Sequence, residues 1–415
     1  LNSVADGFTM LNLMQSAVKF QQDGYHDQTQ SIFATAQLGW KSKLYLDVTG
    51  RVDWSSALAW TDTKSVAYPS VGVSAILTEL LPIRNNVLTF LKVRASYSEV
   101  GNAPTRYIAY QTYPYESASP VTATTYPNTD IKPERTKAWE VGLQSHLWND
   151  KLELNVSLYK TSTYNQLFNP SISASSGYSS IYINGGQVDN KGIEASLTLN
   201  QPLGPVKWNS TFTYTINRNK IKKLLKPTTL SSGEVVKQDM MDLGGLEIVN
   251  SRLFEGGSIG DLYVTALRTD SHGYIDVDYV NNTVAIDNKA GERQDGWIYA
   301  GNSQAKYMMG WRNSFSWKGL TLSCLVNARI GGIVVSQTQA MMDAYGVSTA
   351  TAEARDLGYV LIDGYKVPAV QKYYSTVGSG VGSMYVYNAT NVRLAELSLG
   401  YNIPVQKWVP WIQGM

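Results

Sequence analysis

The chain has 415 residues, 35 Lys and Arg against 33 Asp and Glu, and only 16% charged residues, where soluble domains average about 25%. A net charge of +2 without a long basic run gives no sign of a nucleic-acid surface, and the single cysteine, Cys324, excludes an intrachain disulfide and argues against a cysteine-based metal site. The 27 Tyr and 11 Trp suit a lipid–water boundary, although no stretch reaches the roughly 18 consecutive apolar residues that a membrane helix needs.

Period-two alternation runs through residues 31–40, 44–54, 70–77, 88–99, 138–148, 151–164, 192–201, 206–218, 305–317, 319–328 and 392–403. In the second segment Leu44, Leu46, Val48, Val52 and Trp54 fall on one face, and Tyr45, Asp47, Thr49, Arg51 and Asp53 on the other. Strands of about ten residues, tilted by about 45°, cross a hydrocarbon core, and this two-sided pattern is that of an all-β transmembrane antiparallel β-barrel around a wet lumen. An Arg turned toward lipid at the midplane costs about 2–4 kcal/mol, so the charged face is placed inward. Asp47, Arg51, Asp53, Lys92, Arg94, Glu140, Glu153 and Glu194 are therefore predicted to face the lumen, with inward charge as the general rule.

The connections alternate between short turns (41–43, 149–150, 201–205, 318–319) and long loops (55–69, 100–137, 165–191, 219–304, 329–391). Outer-membrane barrels carry their long loops outside. The stretch 219–304 must then hold an even number of crossings. None is expected there, only a protruding hairpin from extended pieces near 259–268 and 274–280. Trp40, Trp148, Trp208, Trp317 and Trp408 near the short-turn ends, and Trp54, Trp60, Tyr97 and Tyr159 toward the opposite ends, predict two aromatic girdles. Residues 337–356, rich in Ala, Met and Glu, predict a short helix interrupted at Gly346.

Chemical motifs are sparse. Asp270, Asp276 and Asp278 flank Gly273 but lack the spacing of a calcium loop, so a hairpin turn is expected. His26, His146 and His272 lie far apart, no nucleophile or phosphate-loop signature appears, and neither an enzyme, a metal nor a cofactor is expected. Cys324 reads as a small apolar surface residue. The loops carry rings and neutral hydrogen-bonding groups, and Tyr107, Tyr110, Tyr113, Tyr178, Tyr182 and Asn184 are the candidate contacts for a polar ligand or a lid.

Six landmarks in order then carry a resemblance: LYLDVTGRVDWSS at 44–56, YPSVGVS at 68–74, LKVRASYSEVGN at 91–102, IKPERT with WEVG at 131–142, NKGIE at 190–194 and VRLAELSLGY at 392–401. Together they resemble the SusC-like (SusC/RagA) TonB-dependent transporters of Bacteroidetes outer membranes. The resemblance implies that residues 1–415 are part of a barrel of about 22 strands, the tenth to the twentieth, with the plug domain and terminal strands outside this chain. It further implies active import of an oligosaccharide or a peptide, a SusD-like lipoprotein lid, the TonB complex acting through the plug, and possible dimers of such pairs. Any signal peptide is expected outside the chain. A passive porin and a secreted β-rich glycan-binding protein are the competing readings.

Overall fold

The computed structural model describes residues 26–403 apart from 82, 114, 117–118, 121–122, 170–171, 173–176, 226, 230–232, 234, 237–238, 279 and 281–282. Among the described residues eleven strands form one sheet in chain order: β1 (Thr29–Trp40), β2 (Leu44–Ser55), β3 (Ser65–Ile76), β4 (Leu88–Asn102), β5 (Glu134–Leu147), β6 (Leu152–Phe168), β7 (Ile183–Leu203), β8 (Val206–Lys223), β9 (Tyr307–Trp317), β10 (Leu320–Ile330) and β11 (Asn391–Tyr401). Each is antiparallel to its neighbours. All eleven alternating segments become these strands. Trp408 lies outside the described residues.

Turn chemistry fixes one end of the sheet. The β9–β10 loop has φ 45° at Lys318 and 87° at Gly319, the paired positive values of a two-residue hairpin turn. Lys41, Ser42, Trp148, Asn149, Asp150 and Gly204 also take positive φ at this end. One connection breaks the length rule: 77–87, with the one-turn helix Leu77–Leu80, is longer than 56–64 at the opposite end.

Register sorts the side chains across the sheet, with shifts only at Leu88/Phe90, Gln187/Val188 and Leu325/Val326. One row is Tyr45, Ser74, Arg94, Gly142, Ser157, Glu194 and Thr215. The same face carries Asp47, Arg51, Asp53, Lys92, Glu140 and Glu153, so the eight charged residues singled out from the sequence share one face. The opposite face carries Leu158 beside Ile193, and Leu197 beside Phe212. On β8 its apolar run from Val206 to Ile216, at about 3.3 Å per residue and a tilt of about 45°, spans roughly 23 Å, close to the ~25 Å band of a membrane barrel. The polar groups Ser210 and Asn313 fall on this face, where Trp311 Nε1 donates to Ser210 Oγ (3.0 Å) and Trp208 Nε1 to Asn313 Oδ1 (3.1 Å). The free Cys324 sits there too, opposite Asn313 and Leu397.

Several expectations need correction. Charge is not always inward: Lys160, Lys191 and Arg218 occupy the apolar face, at the long-loop ends of β6, β7 and β8. Tyr159 leaves the girdle for the polar face, because it is register partner to Glu140 and Gly192. Its ring lies over Gly192, where a Cβ would come within 2.5 Å of it. Trp60 lies in the 56–64 loop, inside the connection expected at 55–69. The protruding hairpin is instead a four-stranded sheet of Met240–Leu246, Val249–Phe254, Asp261–Thr265 and Trp297–Asn302, and Val277–Asp278 pairs with Thr283–Val284. Its alternating apolar residues serve a loop core, which is why they mimic a simple hairpin.

The predicted helix at 337–356 is two helices, Gln337–Ala344 and Thr349–Leu357, parted by Gly346 at φ 70°. Ser336 and Ser348 cap them by accepting from Gln339 N and Thr351 N, both at 3.2 Å. A third helix, Val370–Gly380, has no strong sequence signal. The helices share a core with the loop sheet, in which Ile248 and Val284 meet Ala340, Tyr373, Val377 and Tyr385. Two long loops therefore fold as one cap at the long-loop end. It is seated on the polar face of β7 and β8 through Val188, Ile221, Leu224 and Leu253.

Candidate functional site

The polar face carries several separate hydrogen-bonded groups. Arg94 lies across β5 because Gly142 leaves room, since a Cβ there would stand 2.6 Å from the guanidinium. Its NH2 donates to Ser157 Oγ (2.5 Å) and Glu140 Oε1 (3.4 Å), and its NH1 to Asn155 Oδ1 (3.4 Å). With Glu194 and Thr213 these groups line an open cavity of about 340 Å³. Arg51 pairs with Asp53 at 2.6 Å and donates to Ser31, Gln37 donates to Asp47 at 2.7 Å, and Asn200 donates to Glu153 at 3.1 Å. Arg312 pairs with Glu396 at 2.9 Å near the far edge. These are half-exposed pairs that solvent screens, so they organise a polar wall more than they stabilise the fold. Lys92 lies on the same face, in register with Gln144.

A second cavity of about 430 Å³ opens among the loops and gathers three candidates, Tyr107, Tyr110 and Tyr182, with Arg106, Ile108 and Thr125. Tyr107 holds φ 64°, a value a non-glycine residue rarely takes. Trp60 stacks on Tyr110 with ring centroids 4.7 Å apart and 27° between planes, and both rings are more than half exposed. The pair makes an aromatic platform. Sequence reasoning missed Trp60 as a site residue; its signal was a position just past the end of β2, among turn formers.

The other candidates are held differently. Tyr178 packs edge-on against Tyr126 at 5.2 Å, and Tyr113 is exposed outside the cavity lining. The Asn184 amide is fully engaged: its oxygen accepts from Lys132 N (2.6 Å), and its nitrogen donates to Lys132 O (2.7 Å) and Asn165 O (2.9 Å). It ties the 103–133 loop to β6.

The cap presents Tyr345, Val347, Leu357, Leu361 and Tyr365 to solvent, each more than 60% exposed. Inside the cap, Tyr385 donates to Asp343 Oδ2 at 2.9 Å, and Gln339 donates to the other oxygen at 2.9 Å. Burial, reinforced by the Asp343 carboxylate, holds the Tyr385 phenol far above its ordinary pKa. Among the described residues no cluster of His, Cys, Asp and Glu is arranged to hold a metal ion. Asp270 forms a turn, its carboxylate accepting from His272 N (2.8 Å) and Tyr274 N (3.0 Å).

Comparison with known proteins fits this geometry. The sequence pattern of the family described as "TonB dependent receptor-like, beta-barrel" matches residues 4–324. TonB-dependent receptor P3 of Formosa agariphila is 26% identical over 421 residues, covering 95% of this chain and 40% of the relative. TonB-dependent receptor P26 of the same organism is 25% identical, over 92% of this chain and 40% of its own length. The structure of the RagAB peptide transporter superposes with a TM-score of 0.70 at 20% identity, covering 94% of this chain and 42% of that one. The RagAB importer in its open-open state gives 0.69 at 20% identity, over 92% and 41%. The chain thus spans about two-fifths of the length of the relatives it matches.

Proposed function

The chain belongs to the TonB dependent receptor-like β-barrel family, and from that premise we propose that it is the later part of the barrel wall of a SusC-like importer in the bacterial outer membrane. The observation that carries this reading is the two-faced sheet with open edges. On this reading the apolar band meets lipid, the polar face lines the lumen, and Asp47, Arg51, Asp53, Lys92, Arg94, Glu140, Glu153 and Glu194 face the plug. Among the described residues no strand pairs with the outer edges of β1 and β11, and unpaired backbone groups are not tolerated in hydrocarbon. On this reading further strands close the sheet into a barrel of about 22.

Transport follows from the parts such a barrel contains. The plug, acted on by the TonB complex, opens the lumen. A SusD-like lipoprotein seats on the exposed apolar face of the cap around Tyr345, Leu361 and Tyr365, so that the long loops and the lid enclose the substrate, and such pairs can assemble as dimers. The Trp60–Tyr110 platform beside Tyr107 and Tyr182 offers flat apolar surface ringed by hydroxyls. That chemistry suits the faces of sugar rings, and also peptide side chains, so an oligosaccharide is the first substrate class to test and a peptide the second.

The experiment is uptake by cells carrying the complete transporter and its lid, across a panel of glycans and peptides. Trp60→Ala and Tyr110→Ala are expected to lower uptake of the true substrate at least 10-fold at limiting concentration, with surface expression unchanged. Wild-type uptake by both variants would remove the platform from the site, and uptake that persists without TonB would refute active import.

A further inference from the structure

The outer face carries a feature that the transport reading leaves unused. Trp139, Lys160, Lys191 and Arg218 are successive register partners on β5, β6, β7 and β8, so three cations stand side by side on neighbouring strands about 4.8 Å apart. All three are exposed. One row toward the short turns the same strands show only Val141, Leu158, Ile193 and Ile216. β6, β7 and β8 therefore switch from apolar to charged at one level, the outer margin of the apolar band, where β5 carries Trp139.

Like charges directly opposite one another destabilise a sheet. Two such contacts in succession, Lys160 with Lys191 and Lys191 with Arg218, call for a counter-charge. The protein supplies little of one: among the described residues no carboxylate forms an ion pair with any of the three. The nearby Glu99 is already committed to Arg135 at 2.6 Å and Lys137 at 3.6 Å. Asp189, the register partner of Lys220 one row further out, accepts from Gln187 at 2.9 Å. Arg218 is held in place by its NH1, which donates to Lys306 O at 2.7 Å and Asn217 O at 3.4 Å, while the side chain stays exposed.

We propose that the Lys160–Lys191–Arg218 row binds the phosphates of a phosphorylated glycolipid in the outer leaflet. The inference rests on the reading of the apolar face as lipid-facing. A lipid headgroup is the occupant that fits, because the row lies directly above the lipid band, on the side away from the lumen, and next to the Tyr97–Trp139 ring pair at 4.4 Å. A span of roughly 10 Å across three strands can meet two phosphates on one headgroup at once, with Arg218 able to grip one in bidentate fashion. Below the row, the acyl chains would lie along Leu158, Ile193 and Ile216.

The test uses the complete transporter in phosphatidylcholine nanodiscs doped with lipid A or with its dephosphorylated form, with bound lipid read by native mass spectrometry. Wild type is expected to retain lipid A at least 10-fold over the dephosphorylated form. The triple variant K160Q/K191Q/R218Q should lose that preference, while K160R/K191R and the lumen-face variant Lys92→Gln should keep it. Equal retention by wild type and the triple variant overturns the proposal, as does equal retention of the two lipids. Failure of the wild-type chain to enter nanodiscs overturns the membrane reading and this proposal together, whereas insertion without lipid preference overturns this one only.

Discussion

The rigidity of the cap can be tested at a single oxygen atom. Tyr385→Phe removes only the hydroxyl that donates to Asp343 Oδ2, in a site where Tyr385 is 2% and Asp343 7% exposed. Ring packing against the shared loop core is unchanged, so no cavity contributes. What is lost is a hydrogen bond to a buried carboxylate, worth about 1.5–3 kcal/mol, and Gln339 cannot replace it because it already serves the other oxygen. Local opening of the helices Gln337–Ala344 and Val370–Gly380 should therefore become roughly 10- to 100-fold more frequent. Hydrogen exchange on the complete transporter reads this directly: amides in both helices should lose protection, and those of β1–β11 should not. The pH dependence has a definite sign. Burial and Asp343 raise the Tyr385 pKa above its unfolded value, so its contribution is whole below about pH 10 and is lost as the solution becomes more alkaline. Tyr385→Phe should remove that part of the alkaline loss. Wild-type exchange rates in the variant would refute the claim that this bond holds the helices to the loop core.

Two further tests address the sheet, beside the uptake and lipid experiments above. Gly192→Ala would place a Cβ 2.4 Å from the Ile216 carbonyl oxygen and 2.5 Å from the Tyr159 ring, so a loss of about 1–3 kcal/mol is expected in denaturant titrations of the detergent-solubilised complete transporter. Tyr159→Ala in the same chain should recover only part of it, because the backbone contact stays; full recovery would mean the carbonyl is not the obstacle. Cys324 is the chain's single cysteine, so a nitroxide attached there in a transporter whose remaining chain is cysteine-free reports on the face assignment. Its spectrum should relax more with oxygen, which enters lipid, than with a water-soluble nickel chelate, and the reverse order would put β10 the wrong way round.

Mid-strand structure was legible in the sequence because two solvents write it. Between lipid and a wet lumen every residue is sorted by face, so Lys92 and Arg94 among Leu91, Val93 and Ala95 leave one choice of orientation. That sorting ends where the membrane ends. β7 was expected from 192 and begins at Ile183, and β5 was expected from 138 and begins at Glu134, because above the lipid the two faces no longer meet different solvents. Val188 and Ile221 are apolar on the polar face for the same reason, since the cap packs there. The cap itself was largely hidden. Its core joins residues near 248 to residues near 385, and no local period encodes contacts across so long a separation. The loop platform was half legible: Tyr107, Tyr110 and Tyr182 stood out as rings in polar loops, but only geometry brings Trp60 onto Tyr110.

Depth, as much as face, decides what a barrel strand can carry, and one row of register partners displays both. It passes through Val48, Val71, Tyr97, Trp139, Lys160, Lys191 and Arg218 without changing face. Val48 lies four residues past the start of β2, and Arg218 twelve past the start of β8. A row perpendicular to tilted strands must climb, so the chemistry runs from aliphatic to aromatic to cationic as it rises out of the hydrocarbon. The rule that charge points inward therefore holds only below the Tyr97–Trp139 level. Above it the constraint is lifted, and outward cations become available for partners at the membrane surface. The same climb raises β7 and β8 above the band, where their polar side can seat the cap through Val188 and Ile221 while their lipid side presents Lys191 and Arg218. One tilt thus gives the two faces of the same strand ends different work.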